Sequence, residues 1–151
     1  MELALHSTST ADEVCKGLWM GGCPPPDFPV QQHFDCLVLT AREYQVPELF
    51  PRVRVVRVAL NDDGSPMTKA EAVEAVRAAG RIIRWLNGGL KVLVTCFAGR
   101  NRSGLVTALV LCKGMGVSPD LAIGAIRAAR GHEAFRNSYF ETFLRAYCGR
   151  T

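Results

Sequence analysis

Apolar and polar positions follow a short period through the first half of the chain, and this pattern predicts strands. Runs rich in valine and leucine at 36–40 (CLVLT), 53–60 (VRVVRVAL) and 91–95 (KVLVT) are typical of buried strands. A weaker alternation at 14–20 predicts a further strand. We therefore expect one sheet, whose strands all lie in the part of the chain that ends at Cys96.

A long amphipathic helix is predicted between the strands at 53–60 and 91–95. Thr68 and Glu71 form the TxxE pattern of a capping box, and apolar residues then recur at helical spacing as far as Leu86. The glycine pair that follows Asn87 ends the helix. Both ends of this helix are therefore marked in the sequence.

Three more helices are predicted towards the end of the chain. The segment 104–115 is apolar on nearly every side, so its helix is expected to be buried. Ser118, followed by a proline, opens a second helix that Gly131 ends, and a third covers about 138–147. Strands first and helices gathered later predict an α/β fold with a central, mostly parallel sheet flanked by helices.

The length of 151 residues fits a single domain. Residues 1–12 are polar and are predicted to be a flexible lead-in, which leaves 13–151 as the domain. The segment 21–29 (GGCPPPDFP) is predicted to be a surface loop, because consecutive prolines fit neither a helix nor a central strand. No internal repeat divides the chain further.

Composition restricts the binding partners and the cellular compartment that we expect for the protein. The net charge of +4 suits either an anionic substrate or a surface with a few extra arginines, and we expect no nucleic-acid partner. No apolar run has the length of a membrane span, and no signal peptide is visible. There is no CxxC pair, so no metal is expected, and the scattered thiols favour the reducing cytoplasm: Cys15, Cys23, Cys36, Cys96, Cys112 and Cys148.

The segment 95–104 (TCFAGRNRSG) carries the candidate chemistry. It joins a buried strand to a buried helix, so its turn should direct successive backbone N–H groups into a bowl at the helix N-terminus. Such a bowl binds a phosphate dianion. The residues expected to bind phosphate here are Phe97, Ala98, Gly99, Arg100, Asn101 and Arg102.

Individual residue types in this turn have distinct chemical uses. Cys96 lies at the bottom of the bowl, where the helix dipole and the N–H groups favour the thiolate that attacks phosphorus. Arg102 can hold two phosphate oxygens with its planar guanidinium and stabilise the transition state. Gly99 permits the tight turn. The Ser103 hydroxyl can donate to the sulfur and help it leave in the second step.

A general acid is also needed, because an alkoxide or phenoxide leaves poorly without a proton. The loop 60–64 (LNDDG) follows a strand, and ligands of open α/β sheets bind at the carboxyl edge of the strands. If that strand is a parallel neighbour of the 91–95 strand, Asp62 or Asp63 can reach the substrate oxygen and later activate water. Asp-Asp-Gly also forms good turns, so these residues could instead serve the loop alone.

The pattern Cys96-x5-Arg102-Ser103 resembles the signature of the protein tyrosine phosphatase superfamily, and its dual-specificity branch is the better match. KGLWMGG resembles that branch's first strand, and LNDD with the capped helix and KVLVTC resembles its acid-loop segment. AIRAARG and the residues around Asn137 resemble its C-terminal helices. The likeness extends over about 14–147 and implies a cysteine-phosphatase fold.

The resemblance implies an enzyme and assigns its acid. It places the general acid at Asp62, with Asp63 as the alternative. The implied activity is hydrolysis of phosphomonoesters, phosphotyrosine and also phosphoserine or phosphothreonine in proteins, through a phosphocysteine intermediate on Cys96. Neither a cofactor nor a metal is implied, the partner is a phosphorylated substrate, and a monomer is expected.

Two positions leave alternatives open. Thr95 stands where the family usually has a histidine that helps to hold the thiolate, so a phosphate-binding module with little turnover remains an alternative. Arg100 adds a second cation at the pocket mouth, as in members that act on phospholipids or phosphoinositides, so a non-protein phosphate is another alternative substrate. Rhodanese-like sulfurtransferases also hold cysteine in a bowl, but their loop is one residue shorter.

Two residues of the C-terminal segment have open roles. Arg130 is expected either to brace the turn that follows Cys96 or to favour the end of its own helix. Asn137 is expected to cap a helix or to brace a loop rather than to take part in catalysis.

Overall fold

The computed structural model describes residues 11–25 and 27–149, and its central element is a five-stranded sheet. The strands are β1 (Ala11–Cys15), β2 (Leu18–Gly22), β3 (Cys36–Ala41), β4 (Arg54–Leu60) and β5 (Val92–Cys96). Their order is β1-β2-β5-β3-β4, with β1 antiparallel to β2 and the other neighbours parallel. The predicted mostly parallel sheet is confirmed.

The first part of the sheet differs from the prediction of a single strand at 14–20. The segment is a hairpin, in which Gly17 adopts φ +85 between β1 and β2. Because β1 begins at Ala11, Ala11 and Asp12 belong to the sheet and not to the predicted lead-in. Residues 1–10 of that lead-in lie outside the described residues.

The loop predicted at 21–29 begins later than expected. Gly21 and Gly22 extend β2 and pair with Thr95 and Cys96 of β5, and both glycines are buried. β2 therefore lies alongside β5 as far as Cys96.

The helices agree closely with the sequence signals. The predicted capping box of Thr68 and Glu71 is present, and the Ser118 side chain caps the third helix; such caps stabilise a helix by about 1 kcal/mol each. The second helix begins at Arg102, earlier than the predicted 104. The described helices are α1 (Lys69–Asn87), α2 (Arg102–Met115), α3 (Pro119–Arg130) and α4 (Ser138–Cys148).

The helices cover one face of the sheet. Val92 and Val94 of β5 pack in a hydrophobic cluster that includes buried residues of all four helices, whereas Leu93 between them packs on the opposite face. That second face is covered by loops containing the short 3₁₀ turns Val30–Gln32 and Pro47–Leu49. Among the described helices, none combines the length and apolar character needed to cross a membrane.

The parallel strands β2, β5, β3 and β4 bring their carboxyl ends to one edge of the sheet. The segments that follow β3, β4 and β5 therefore meet at this edge. β3 lies between β4 and β5, so β4 is parallel to β5 without being its direct neighbour.

Candidate active site

The loop of residues 97–101 joins β5 to α2 and depends on Gly99. This glycine has φ +69, and a Cβ atom built on it would lie 2.6 Å from the backbone nitrogen of Gly22. A larger residue would therefore strain the backbone and collide with β2. Gly99 thus allows the 97–101 loop to fold tightly against the end of β2.

Cys96 is placed at the bottom of this loop. Its side chain is buried, with the residue only 4% exposed. The backbone N–H of Gly99 donates to Cys96 Sγ at 3.2 Å, and Ser103 Oγ lies at the same distance of 3.2 Å from the sulfur. The inward N–H of Gly99 and the N-terminus of α2 favour negative charge at this point. The structure thus brings Cys96, Gly99 and Ser103 together as the sequence predicted.

Arg130 supports the 97–101 loop from outside. Its guanidinium donates to the carbonyl oxygens of Gly99 at 3.0 Å and of Ala98 at 3.2 Å, and it forms an ion pair with Asp12 at 2.7 Å. In a trans peptide the C=O and N–H point in opposite directions. Holding the Ala98 carbonyl outward therefore directs the Gly99 N–H inward to the sulfur. Of the two roles open for Arg130, bracing the loop is the one for which the contacts are present.

Arg102 lies on the first turn of α2 and pairs with Glu43, which follows β3. Its two terminal nitrogens bind the two carboxylate oxygens, with Nη2 and Oε2 at 2.8 Å. This bond lowers the pKa of Glu43. Burial opposes the charge of Arg102, but the negative groups around it, Glu43 first and then Cys96 and Asp62, together raise the pKa of the guanidinium. The buried Arg102 Nε has no hydrogen-bond partner in the described part of the chain.

Thr95, which directly precedes Cys96, has its hydroxyl bound on the β3 side of its strand. Its hydroxyl donates to the carbonyl oxygen of Val38 at 2.9 Å, and its own carbonyl accepts from the Thr40 hydroxyl at 2.7 Å. Both bonds join β5 to β3. Thr95 thus fastens the strand that carries Cys96 to its neighbour.

The two aspartates that follow β4 have different surroundings. Asp62 accepts from Asn101 Nδ2 at 3.0 Å and from Asn137 Nδ2 at 2.8 Å. Asp63 instead accepts from the backbone N–H of Ser65 at 3.1 Å and also from its hydroxyl, and these bonds lower the pKa of Asp63. The structure brings Asp62 to the 97–101 loop and leaves Asp63 as a turn residue.

The segment that carries Asp62 is held at both ends by Glu71. The Glu71 carboxylate accepts the backbone N–H of Asn61 at 2.8 Å and that of Thr68 at 2.9 Å. Glu71 is 3% exposed. The capping residue of α1 therefore also fixes the 61–68 segment next to the site.

An open cleft of about 340 Å³ lies over the sulfur. Arg100 and Arg136 are exposed on its wall, and among the described residues neither guanidinium pairs with a carboxylate. Phe97 is also on the wall and is 66% exposed. The described residues that line the cleft are Asp62, Cys96, Phe97, Ala98, Arg100, Asn101, Arg102, Glu133 and Arg136.

The other cysteines differ from Cys96 in their surroundings. Burial raises the pKa of Cys23 to about 12, with the neighbouring Cys96 as the second cause. Burial likewise raises the pKa of Cys36 to about 11 and of Cys112 to about 12. No disulfide joins the cysteines, all of which lie in the described ranges. Within those ranges, no three His, Cys, Asp or Glu side chains cluster so as to hold a metal ion.

Sequence reasoning missed three contributors to this arrangement. Glu43 and Asp12 bind Arg102 and Arg130, but they are distant in sequence and no local pattern marks them. Asn101 was expected only to bind phosphate, whereas its side chain contacts Asp62. Its position at the N-terminus of α2, where asparagine usually caps, was the available signal.

Comparison with known proteins shows the fold. No protein-family model matches the sequence, and no curated protein matches it at a significant level. Solved structures do match. Tk-PTP in its active form is 22% identical with a TM-score of 0.80, over 93% of this chain and 97% of that one. Human DUSP28 is 22% identical with a TM-score of 0.80, over 92% and 93% of the two chains.

A further match is PTPMT1 in complex with PI(5)P, 19% identical with a TM-score of 0.74, over 93% of this chain and 97% of that one. These likenesses extend over nearly the whole of every chain compared. The protein has the fold of the dual-specificity branch of the protein tyrosine phosphatase superfamily.

Proposed function

We propose that the protein is a cysteine-dependent phosphatase that hydrolyses phosphomonoesters through a phosphocysteine intermediate. The observation that carries the proposal is Cys96 Sγ, which receives the Gly99 N–H at 3.2 Å at the bottom of an open cleft. The buried Nε of Arg102, which has no partner among the residues that the structure describes, supports it, because an unpaired donor costs free energy unless a ligand accepts from it. A phosphate oxygen is a suitable acceptor.

In the first step the Cys96 thiolate attacks phosphorus and the bond to the leaving oxygen breaks. Arg102 and the inward N–H groups stabilise the charge on the equatorial oxygens. Asp62, on the wall of the same cleft, gives its proton to the leaving oxygen.

In the second step Asp62 takes a proton from water as the water oxygen attacks phosphorus. The sulfur–phosphorus bond then breaks and inorganic phosphate leaves. Ser103 Oγ, 3.2 Å from the sulfur, donates to the departing thiolate. The chemistry needs a reduced Cys96, which favours a reducing compartment such as the cytoplasm.

The test is turnover of 4-nitrophenyl phosphate in the presence of EDTA. We expect turnover by the wild type and loss of turnover in Cys96→Ser. Acid-quenching the enzyme during turnover of a ³²P-labelled phosphomonoester should trap label on Cys96 in the wild type and in variants slowed in the second step. Full activity of Cys96→Ser would overturn the proposal. Tight phosphate binding with no turnover would favour the phosphate-binding module.

The preferred substrates are phosphotyrosine and phosphoserine or phosphothreonine in proteins, since the cleft is open and not a deep slot. Arg100 and Arg136 on its wall favour a second candidate, a phosphoinositide or other non-protein phosphate with further negative charge. The likeness to PTPMT1, whose complex contains PI(5)P, supports this candidate. Comparing kcat/KM for phosphopeptides and for phosphoinositides in vesicles decides between the two.

A further inference from the structure

The side chain of Asn101 does not form the capping hydrogen bond that its position at the start of α2 predicts. Asn101 is the N-cap residue of α2, where asparagine usually accepts a backbone N–H from the first turn. It makes no such bond. Its Nδ2 donates instead to Asp62 Oδ2 at 3.0 Å, across 39 residues of sequence.

The orientation of the Asn101 amide is fixed by its oxygen. Oδ1 accepts the backbone N–H of Arg136 at 2.6 Å and that of Asn137 at 3.2 Å. Rotating the amide by half a turn would place its NH₂ group against two donors. Nδ2 must therefore face Asp62.

Asn137 holds the other oxygen of the same carboxylate in the same way. Its Nδ2 donates to Asp62 Oδ1 at 2.8 Å, while its Oδ1 accepts the N–H groups of Tyr139 at 2.9 Å and Phe140 at 3.2 Å. The latter bonds cap α4. Asn137 thus combines the two roles that its sequence position left open.

Each oxygen of Asp62 is bound by one amide donor and keeps a second lone pair. The carboxylate can therefore hold a proton or bind water without leaving its two partners. Asp62 is exposed, so its side chain would sample several rotamers if the amides did not fix it. The two asparagines keep it on the wall of the cleft that contains Cys96.

We propose that Asn101 is a positioning residue that, together with Asn137, holds Asp62 ready to protonate the leaving group before the substrate arrives. The inference rests on the proposed function, in which Asp62 is the general acid. Asn101 belongs to the 97–101 loop, so its hydrogen bond to Asp62 connects the proposed acid directly to the proposed phosphate site. The acid is therefore already at the site, and no loop has to close to bring it there.

The experiment compares two substrates whose leaving groups differ in their need for a proton. The 4-nitrophenolate leaves readily, whereas the phenolate of phenyl phosphate needs protonation. We expect Asp62→Asn to lower kcat/KM for phenyl phosphate about 100-fold more than for 4-nitrophenyl phosphate. Asn101→Ala should show the same preference at about 10-fold, with the inhibition constant of inorganic phosphate changed less than about 3-fold.

Asn137→Ser provides the matched second variant. Serine keeps a cap acceptor for α4 but lacks the donor to Asp62, so it should shift the substrate preference in the same direction as Asn101→Ala. Asp63→Asn is the control, because Asp63 contacts Ser65 and not the asparagines. Its substrate preference should equal that of the wild type.

Equal losses on both substrates in Asn101→Ala and Asn137→Ser would overturn the inference and assign Asn101 to the 97–101 loop alone. If Asn101→Ala fails to fold, Asn137→Ser decides by the same criterion. If Asp62→Asn shows no leaving-group preference, the acid assignment fails and the inference fails with it. The phosphatase proposal itself is judged separately, by the Cys96→Ser variant.

Discussion

Arg102 and Glu43 form a two-pronged ion pair, with Arg102 Nη2 lying 2.8 Å from Glu43 Oε2 and Nη1 bound to Oε1. The pair joins the first turn of α2 to the segment that follows β3. Arg102 Nε, buried and without a partner in the described residues, and one hydrogen of Nη2 remain for an oxyanion. Glu43 therefore orients the guanidinium but leaves these N–H donors available to a bound oxyanion.

We predict that Glu43→Gln weakens inhibition by inorganic phosphate and lowers kcat/KM by about 10-fold each. A glutamine has one acceptor oxygen, so the guanidinium loses one of its two bonds to residue 43. The remaining bond and the 3.4 Å bond from Nη1 to the carbonyl oxygen of Leu60 hold it less firmly. Removing a carboxylate also reduces repulsion of the dianion, but Glu43 is 54% exposed and solvent screens that gain.

The inhibition constant of phosphate and steady-state kinetics measure this effect, and Glu48→Gln serves as the control. Glu48 is an exposed glutamate in the next turn of the same segment and makes no ion pair within the described chain. An unchanged phosphate inhibition constant in Glu43→Gln would show that Arg102 is oriented without Glu43.

Arg130→Met should damage both the stability and the activity of the enzyme. It removes the donors to the carbonyls of Ala98 and Gly99 and leaves Asp12 without this ion-pair partner. An unsatisfied buried polar group costs about 1–3 kcal/mol, which lowers the Tm of a domain this size by roughly 3–10 °C. kcat/KM should fall at least about 10-fold, because the Gly99 peptide is free to turn its N–H away from the sulfur.

Thermal melting followed by circular dichroism and turnover of 4-nitrophenyl phosphate test this prediction. Arg52→Met, at an exposed arginine before β4, is the control for loss of a charge. Wild-type kcat/KM in Arg130→Met, with or without a change in Tm, would contradict a role for Arg130 in shaping the loop.

The residues of the site that lie close together along the chain could be predicted from the sequence. Cys96, Gly99 and Arg102 lie within one strand–turn–helix unit, so their spacing alone determines that they share a bowl. Glu43 and Asp12 could not be predicted, because they meet their arginines across 59 and 118 residues. Only the folded sheet brings such pairs together.

The hairpin at the start of the sheet shows a different limit of sequence reasoning. Val14, Leu18 and Met20 keep an even spacing across the turn at Gly17, so the alternation continues unbroken and resembles a single strand. A two-residue turn preserves the period of two, and Lys16-Gly17 lacks the Asn-Gly or Asp-Gly pair that usually marks such turns. The alternation of apolar and polar residues therefore gave no signal for the turn between β1 and β2.

Glu71→Gln should lower the Tm at pH 7 by about 4–8 °C. Burial opposes ionisation of Glu71, but hydrogen bonds from Thr68 and Asn61, together with the charge of Arg42, outweigh it and lower the pKa of Glu71. A carboxylate with a lowered pKa stabilises the fold above its unfolded value of about 4.3, and this stabilisation is lost as the pH falls through the folded value. The difference in Tm between wild type and Glu71→Gln should therefore shrink below about pH 4.

Melting curves between pH 7 and pH 3 measure this effect. Glu74→Gln on the exposed side of α1 is the matched control and should leave the Tm nearly unchanged. A Tm difference that stays constant, or grows, as the pH falls would show that the charge of Glu71 is not what stabilises the segment.

Alkylation at neutral pH should modify Cys96 before any other cysteine. Iodoacetamide reacts with thiolates, and the raised pKa values of Cys23 and Cys112, both about 12, and of Cys36, about 11, keep these thiols protonated at pH 7. Cys96 receives an inward N–H at 3.2 Å and lies at a helix N-terminus, both of which favour its anion. Inorganic phosphate should slow its modification by filling the cleft.

Peptide mapping by mass spectrometry, after brief labelling with and without phosphate, measures the order of modification. Unfolding in guanidinium chloride is the control, since all six cysteines should then be labelled at similar rates. Cys23 is the decisive comparison, because it lies close enough to Cys96 for their charges to interact, yet burial raises its pKa to about 12. If Cys23 is labelled as fast as Cys96 in the folded protein, the 97–101 loop does not activate the sulfur that the proposed reaction requires.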